Sequence, residues 1–257
     1  MTMKRFLAAT AVLAGCLLTL ASHAAEVRVM TSGAFTGPLK ELVPLFERQS
    51  GHRVLMAFGA SMGGAPDSIP SRLERGEPAD LVILAGPALD GLVAKGQVVP
   101  GSRVDLVRSS IGMVVRAGAP KPDIGTVEAL KRTLLEAKSI AYSASASGAY
   151  LSTELFPKLG VWDEIKGKSQ RIVSERVGAV VARGDAQVGF QQVSELISIA
   201  GVDYVGPLPE GAQRVSHFSV GLGARAKEPE VAKELVRFLS SDAAVPVIRK
   251  NGLEPAR

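Results

Sequence analysis

The sequence of 257 residues has little cysteine and histidine, and only 5% of its residues are aromatic. The single cysteine, Cys16, excludes a disulfide framework and a cysteine-based zinc site. The three histidines and the carboxylates show no spacing that suits a metal ion, so neither a metal nor a cofactor is expected. With 46% hydrophobic and 21% charged residues, the composition is typical of a globular protein and excludes a disordered or fibrous chain.

The sequence also lacks a large excess of positive or negative side chains. The 30 Lys and Arg residues stand against 25 Asp and Glu, and no dense basic run occurs. The net charge of +5 falls further if Lys4 and Arg5 are removed with an export signal. A balance this even gives no support for binding to a phosphate backbone, so no nucleic-acid partner is expected.

The N-terminus has the three parts of an export signal. Lys4 and Arg5 form a positive start, residues 6–21 are apolar, and residues 22–24 (Ser-His-Ala) form a small-residue cleavage site. We therefore expect a signal peptide over residues 1–24 and a mature chain in the periplasm. A membrane anchor is less favoured, because this apolar run is shorter than the ~20 residues that cross a bilayer.

Cys16 leaves a second form of export open. Residues 13–16 (Leu-Ala-Gly-Cys) resemble the lipobox at which a lipoprotein is cleaved and lipid-anchored. The residues that follow, 17–20, stay apolar, whereas a lipoprotein usually turns polar there. Cleavage after Ala24 is the favoured prediction, and a lipid anchor on Cys16 is the alternative.

Short apolar runs alternate with helical stretches along the rest of the chain. Residues 27–30 and 80–84 are predicted strands, and apolar residues spaced three and four apart predict a helix from Pro38 to Gln49. This alternation predicts an α/β fold with mostly parallel connections. The Gly- and Pro-rich stretch 117–125 separates two such series, and we interpret it as a connection between two lobes with a cleft between them.

Three loops in this pattern are rich in Ser, Thr and Gly: residues 32–37, 59–64 and 143–148. Each follows a predicted strand, and ligands of α/β sheets bind beyond the carboxyl ends of strands, often at helix N-termini. Hydroxyl and backbone N–H groups in these loops suit an anion. The residues therefore predict a small-anion site at this end of the strands.

Residues 59–63 (Gly-Ala-Ser-Met-Gly) match the nucleophile motif of serine hydrolases, with Ser61 as the nucleophile and His217 downstream. Two features weigh against this hypothesis. Only about 35 residues of the mature chain precede Ser61, too few for the strands and oxyanion loop that such enzymes place before the nucleophile. His217 also falls inside a predicted strand. A secreted serine hydrolase is the alternative hypothesis, and Ser61 is predicted to donate to a ligand instead.

Four segments together resemble one family. Residues 76–83 resemble the G-x-P-A-D-L signature of periplasmic solute-binding proteins of ABC importers, and the molybdate-binding type is the most similar subfamily. Residues 157–163 resemble its K-L-G-x-W-D segment, 184–190 its A-x-x-G-I strand, and 249–253 its terminal Y-G-F. Their order and spacing are specific together, and the resemblance spans residues 27–252.

The resemblance implies a type II periplasmic-binding fold, in which two α/β lobes close on a ligand and the last strand and helices return to the first lobe. Lobe one would comprise residues 25–116 and 206–257, and lobe two residues 117–205. The resemblance further implies a non-enzymatic receptor that captures a small anion and delivers it to an ABC permease at the inner membrane. We expect this receptor to be a monomer.

The resemblance also suggests ligand positions where the motifs align. Ala34 stands where the molybdate-binding family has a serine, and Ser32 lies beside it. Ser61, or Ala60 one position earlier, matches the serine of the second loop. Ser147 and Gly148 match a segment that supplies a backbone amide to the ligand. These residues are therefore expected to bind the anion.

Two further positions depart from the family pattern. Arg176 stands at a neutral position at the start of a predicted helix, and Gln192 replaces a tyrosine. A guanidinium matches a carboxylate through two hydrogen bonds, whereas neutral donors are enough for a tetrahedral oxyanion. We therefore expect Arg176 to reach into the cleft and pair with an organic carboxylate, with a molybdate-like oxyanion as the alternative ligand.

Overall fold

A computed structural model of the protein describes residues 24–62 and 64–257. The predicted signal peptide lies outside the described residues except for Ala24, and so does Cys16 with its predicted lipid anchor. Within the described part of the chain, none of the helices combines the length and apolar character that a membrane crossing requires.

The described residues form eleven strands, and each sheet collects strands that are distant in sequence. The strands are β1 (Glu26–Thr31), β2 (Arg53–Phe58), β3 (Leu81–Ala85), β4 (Val104–Ser109), β5 (Ile111–Arg116), β6 (Ile140–Ser143), β7 (Ser169–Ile172), β8 (Val188–Gln192), β9 (Val202–Pro207), β10 (Ser216–Leu222) and β11 (Glu254–Pro255).

Helices follow most of the strands and pack on the faces of the sheets. They are α1 (Gly33–Ser50), α2 (Ile69–Glu74), α3 (Gly86–Ala94), α4 (Val127–Glu136), α5 (Ala146–Tyr150), α6 (Phe156–Lys158), α7 (Trp162–Ile165), α8 (Val177–Arg183), α9 (Val193–Leu196), α10 (Pro229–Leu239) and α11 (Val245–Lys250). A π-helical turn (Leu151–Leu155) joins α5 to α6, so residues 146–158 form one continuous helical segment. Short 3-10 turns lie at Lys166–Lys168, Glu210–Ala212 and Asp242–Ala244.

The two sheets define the two lobes of an α/β fold, as expected. The first sheet has the order β11-β4-β10-β3-β1-β2, in which β1 is parallel to β2 and β3, while β10 is antiparallel to β3 and β4. The second has the order β7-β6-β8-β5-β9, in which β6 is parallel to β7 and β8, while β5 is antiparallel to β8 and β9. Both sheets are mixed, because a strand arriving from the other lobe enters each of them antiparallel to its neighbours.

The chain passes between the sheets at two places. Ser110 alone separates β4 from β5 and makes the first crossing, and residues 208–215 make the second. Strand β5, expected in lobe one, therefore belongs to the second sheet, where it pairs with β8 and β9. The stretch 117–125 is a loop within lobe two and not the connection we expected, because β5 before it and α4 after it both pack into that lobe.

Apolar stripes on the helices build the core of each lobe. In lobe one, Phe35 and Phe46 of α1 are buried together with residues of α10 and the first sheet. In lobe two, Phe156 packs between Trp162 and Phe190, with ring centroids 6.1 and 6.3 Å apart. Burying a side chain of this size contributes roughly 1.5–3 kcal/mol, so these contacts fix the helices that carry the site.

Helix α1 begins earlier than the sequence predicts, and this start shapes the site. The interpretation of residues 32–37 as a loop is wrong, because only Ser32 is extended and the helix starts at Gly33. Phe35 continues the buried stripe of α1 in the N-terminal direction, and its burial outweighs the cost of Pro38 inside the helix. The first turn of an 18-residue helix, with its free backbone N–H groups, therefore lies where a loop was expected.

Asp80, in the segment that resembles the solute-binding signature, holds three backbone groups together. Its carboxylate accepts hydrogen bonds from the N–H groups of Arg28 at 2.7 Å, Lys227 at 2.6 Å and Glu228 at 3.2 Å. The side chain is buried. Asp80 therefore joins β1 to the turn before α10 and links the first and last parts of lobe one.

We expect Asp80→Asn to lower the free energy of unfolding by about 1–3 kcal/mol, because an amide nitrogen would replace an oxygen that accepts from a buried N–H. Asp203→Asn is the matched control, since Asp203 accepts a single exposed hydrogen bond from Gly118. Its effect should stay below about 0.5 kcal/mol. Urea unfolding of both variants measures the difference, and equal losses would contradict the role given to Asp80.

Candidate functional site

A cavity of about 280 Å³ lies between the lobes, and both lobes contribute to its walls. Lobe one contributes the ends of β1 and β2 with the start of α1. Lobe two contributes the segments that follow β6, β7 and β8. The lining residues are Ser32, Gly33, Thr36, Lys40, Phe58, Gly59, Ala60, Ser61, Asp67, Ser143, Ser145, Ala146, Ser147, Val173, Ser174, Glu175, Arg176, Gln191, Gln192, Glu195 and Phe218.

Hydroxyl groups dominate the wall from lobe one. Ser32 and Thr36 flank the first turn of α1, where backbone N–H groups favour an anion. The Ser32 hydroxyl is buried and finds no hydrogen-bond partner among the described residues. The Ser61 hydroxyl accepts a hydrogen bond from the N–H of Ala85 at 3.0 Å, which leaves its own proton for another acceptor. The Thr36 hydroxyl donates to the Ser32 carbonyl at 3.2 Å, so the donors left for a ligand are the hydroxyls of Ser32 and Ser61 and the N–H groups of the helix start. Lys40 and Asp67 add one charge of each sign to this wall.

Three serines form the facing wall from lobe two. Ser143, Ser145 and Ser147 surround the start of the helical segment 146–158. The Ser143 hydroxyl accepts from the N–H of Ser145 at 3.0 Å, so it also keeps its own proton for another acceptor. Ser147 is 2% exposed and lies in the first turn of the segment. Both walls thus present a helix start and its hydroxyls to the same cavity.

Two glutamines and an arginine complete the lobe-two wall. The Gln191 Oε1 accepts from the N–H of Val177 at 3.0 Å, so its amide nitrogen is directed away from that bond. The Gln192 Nε2 donates to the Ser216 hydroxyl at 3.4 Å, and its Oε1 is buried without a partner among the described residues. Arg176 is partly exposed and lies just before α8, with one weak hydrogen bond to Ser198 at 3.4 Å. Its guanidinium retains donors for a ligand.

Glu195 is a buried acid in this otherwise donor-rich cavity. It lies on the short helix α9 and is 8% exposed. Its Oε1 lies so close to Gly33 that any Cβ at that position would overlap it. Burial raises the pKa of the Glu195 carboxyl to about 7, while the nearby guanidinium of Arg176 and a hydrogen bond with Gln191 act in the opposite direction. Near neutral pH the carboxyl therefore exists in both protonation states.

Most of the predicted site residues lie on this cavity. Ser32, Ser61, Ser147, Arg176 and Gln192 all line it, and their role in binding remains a prediction.

Two predicted ligand positions do not lie on the cavity. The side chain of Ala34 is buried in the core of lobe one, because it belongs to the apolar stripe of α1. Gly148 packs against the carbonyl of Ser143, where a Cβ would overlap the backbone. Gly148 therefore permits the close approach of α5 to β6 and does not contact the cavity.

Sequence reasoning missed Glu195, Gln191 and Thr36. Glu195 had a weak signal, since it is an acid in a short segment between buried β8 and the apolar residues Leu196 and Ile197. Thr36 lies in the hydroxyl-rich stretch 32–37, and Gln191 adjoins Gln192, but the sequence analysis assigned neither of them a ligand position.

The serine hydrolase hypothesis finds no support in this geometry. His217 lies on β10, and its Nδ1 is 3.6 Å from the carboxylate of Asp105. Its side chain lines a different cavity from the one that Ser61 lines. The second histidine of the described chain, His52, accepts a hydrogen bond from the N–H of Ala25. Ser61 therefore has no histidine on its cavity among the described residues.

Residues 27–254 match the family described as bacterial extracellular solute-binding protein. The match covers most of the chain, and the chain belongs to this family. It confirms the resemblance to periplasmic solute-binding proteins of ABC importers that four sequence segments suggested.

Two relatives and one solved structure extend this comparison. The chain is 46% identical to an aconitate isomerase of Pseudomonas sp, over 95% of this chain and 93% of the relative. It is 29% identical to the molybdate-binding protein ModA of Azotobacter vinelandii, over 92% of each. The solved periplasmic molybdate-binding protein of Azotobacter vinelandii superposes with a TM-score of 0.71 at 22% identity, covering 88% of this chain and 98% of that one. This last likeness shows the fold.

The expectation of a non-enzymatic protein is wrong in light of these relatives. A chain that is 46% identical over nearly the full length carries the name of an enzyme, an aconitate isomerase. The sequence motifs pointed to binding proteins because they report the fold of the lobes. They contain none of the cavity's ionisable groups, and Glu195 lies outside all four of them.

We expect Glu195→Gln to stabilise the folded protein increasingly as pH rises above about 4.5, with the full effect reached above about pH 7. A carboxyl whose pKa is raised on folding above its ordinary value of 4.5 costs stability as pH rises from that value through about 7. Above this window the free energy of unfolding of the variant should exceed that of the parent protein by on the order of 3 kcal/mol, and at about pH 4 the two should be nearly equal. Thermal unfolding across this range measures the effect.

Glu136→Gln on the exposed face of α4 is the control for that measurement. It changes the same functional group outside the cavity, so its stability should follow the parent protein at every pH. A Glu195→Gln variant whose stability difference does not vary with pH would contradict the buried, titrating carboxyl.

Proposed function

We propose that the protein isomerises an unsaturated tricarboxylate of the aconitate class, which binds between the two lobes. The observation that carries the proposal is one cavity that combines anion donors from both lobes with a buried, ionisable carboxyl, Glu195. The relative named as an aconitate isomerase, 46% identical over 95% of this chain, supports it. Moving a double bond within such a substrate needs a group that accepts and returns a proton, and a carboxyl of this kind is suited to it.

The distribution of donors suits three carboxylates. The start of α1 offers the Ser32 hydroxyl and backbone N–H groups, the start of the segment 146–158 offers Ser147, and the third donor group is Arg176 with the neighbouring glutamines. The first group belongs to lobe one and the other two belong to lobe two, so one ligand that reaches all three holds the lobes together. Lys40 at the mouth adds a second cation, with its Nζ 5.0 Å from the centre of the Phe58 ring. Such contacts to both lobes favour the closed state.

The same features disfavour a tetrahedral oxyanion. A dianion such as molybdate needs donors only, and an ionisable acid on the cavity has no role in holding it, whereas a proton-transfer reaction of an organic acid requires one. The cavity, at about 280 Å³, is close to the volume of sites that hold organic ligands, and it is larger than one oxyanion requires. Arg176 adds the planar fork that a carboxylate matches. We therefore favour an organic acid as the ligand over a molybdate-like anion.

Membership in the solute-binding family favours a second function for the same site. A two-lobed protein that closes on a carboxylate can deliver it to an ABC permease, and the predicted export signal would place it in the periplasm with that permease. Closure is needed for both functions, since it excludes water from the ligand and selects the bound state. Delivery and isomerisation of one ligand are therefore compatible.

We expect the purified protein to interconvert cis- and trans-aconitate. Proton NMR follows the vinyl signals of the two isomers, and the equilibrium mixture should be reached from either side. Calorimetry with aconitate and with molybdate tests the ligand class independently. Tight binding of molybdate, together with no binding or conversion of aconitate, would contradict the proposal and identify the ligand as a molybdate-like oxyanion.

We expect Arg176→Ala to weaken aconitate binding by roughly tenfold to a hundredfold, because a charge-assisted hydrogen bond contributes about 1.5–3 kcal/mol. Arg132→Ala, which removes the same group from the exposed face of α4, is the matched control and should bind like the parent protein. Calorimetric titration of both variants decides the matter. Unchanged affinity in Arg176→Ala would mean that the side chain points away from the ligand.

A further inference from the structure

Glu195 occupies an unusual place for an acid. Its carboxyl extends from α9 of lobe two to the first turn of α1 in lobe one, where only a glycine, Gly33, leaves room for it. Arg176 acts on it electrostatically, yet the two form no ion pair among the described residues. The carboxyl is thus held in place by packing at the junction of the lobes and not by a permanent cation.

The other acids of the cavity are placed differently. Glu175 pairs with Arg183, which lies outside the cavity lining, at 2.8 Å, and Asp67 is exposed. Both carboxylates are therefore exposed to solvent. Glu195 alone among the acids that line the cavity is buried.

We propose that Glu195 is the catalytic residue that transfers the proton in the isomerisation, an inference that rests on the proposed function. Its carboxylate takes a proton from the methylene group of the bound aconitate. The C–H electron pair then spreads over the three-carbon allyl unit and its carboxylates. The Glu195 carboxyl returns a proton to the other terminal carbon, so the double bond moves by one position. Atoms and charge balance, and no co-reactant is consumed.

The surroundings of Glu195 suit both halves of this step. The carbanion charge is delocalised onto substrate carboxylates, which the N–H groups of the α1 start and the guanidinium of Arg176 can stabilise. Burial raises the pKa of Glu195 to about 7, so the group is a stronger base than an exposed carboxylate and still ionises near neutral pH. A base of this strength returns its proton readily as the double bond forms at the new position.

The charged groups that face Glu195 come from few elements. Of the helices that pack against α9, α1 brings Lys40 to the cavity, and the turn before α8 brings Glu175 and Arg176. Asp67 reaches the same cavity from the segment before α2. In the described chain, β5, β8 and β9 place no charged side chain on the cavity lining. The pH dependence of the reaction should therefore follow Glu195.

The test compares Glu195→Gln, Glu195→Asp and the parent protein in deuterated buffer. NMR measures both isomerisation and the exchange of the aconitate methylene protons for deuterium, and calorimetry measures aconitate binding. We expect Glu195→Gln to lose at least ~100-fold in the combined rate while its Kd changes by less than about tenfold. Glu195→Asp should retain part of the rate. Glu136→Gln is the control with unchanged rate and affinity.

The parent protein gives an independent readout should Glu195→Gln fail to fold. Its kcat/KM should rise with pH, with a midpoint near 7, and the rise should move in Glu195→Asp. A flat profile through neutral pH, or a Glu195→Gln variant that reacts within about tenfold of the parent rate, overturns the assignment. Loss of binding in a folded Glu195→Gln variant also overturns it, since Glu195 would then be a binding residue.

The same measurements separate this inference from the proposed function. A parent protein that isomerises aconitate while Glu195→Gln does so equally well refutes the Glu195 assignment alone. A parent protein that neither isomerises aconitate nor exchanges its methylene protons refutes both.

Discussion

The site depends on one close approach, that of the Glu195 carboxyl to the first turn of α1 at Gly33. A side chain at position 33 would push the carboxyl away, and a loop in place of the helix start would remove the N–H groups around it. The early start of α1 follows from the burial of Phe35, so the hydrophobic core of lobe one determines where an acid from lobe two can lie. Core packing and site chemistry are therefore connected through this turn.

The C-terminal segment reinforces the same junction. Asn251 and Lys250 bind the carboxylate of Glu41 on α1 at 3.0 and 2.8 Å, and Gly252 packs against α9 with Ile197 as a close neighbour. Helix α9 is thus contacted by α1 and by the turn after α11, both from lobe one. The terminal motif that suggested the family has this structural basis, because it positions the helix that carries the buried acid and does not contact the ligand cavity itself.

Much of the fold could be predicted from the sequence, because strands and helices were marked by local spacing of apolar residues. The places that failed depend on distant contacts. The stretch 117–125 has the composition of a linker, yet β5 before it pairs with strands far along the chain, and the crossing is the single residue Ser110. In the site, serines and Arg176 could be placed by motif alignment. Glu195 could not, because its burial depends on a glycine more than 160 residues away in sequence.

In the proposed reaction, an ionisable acid is the group that distinguishes a catalytic cavity from a cavity that only binds an anion. Hydroxyls, helix starts and a guanidinium already hold the anionic substrate before the reaction begins, so much of what they contribute is affinity. A group that changes its own charge during the reaction contributes in another way, since its interaction with the substrate differs between the ground state and the transition state. Glu195 is proposed to do this from a buried position, where its carboxyl extends from α9 of lobe two to the first turn of α1 in lobe one. On this proposal, an ionisable acid buried between the lobes of a binding fold would add proton transfer to ligand capture without any change in the architecture.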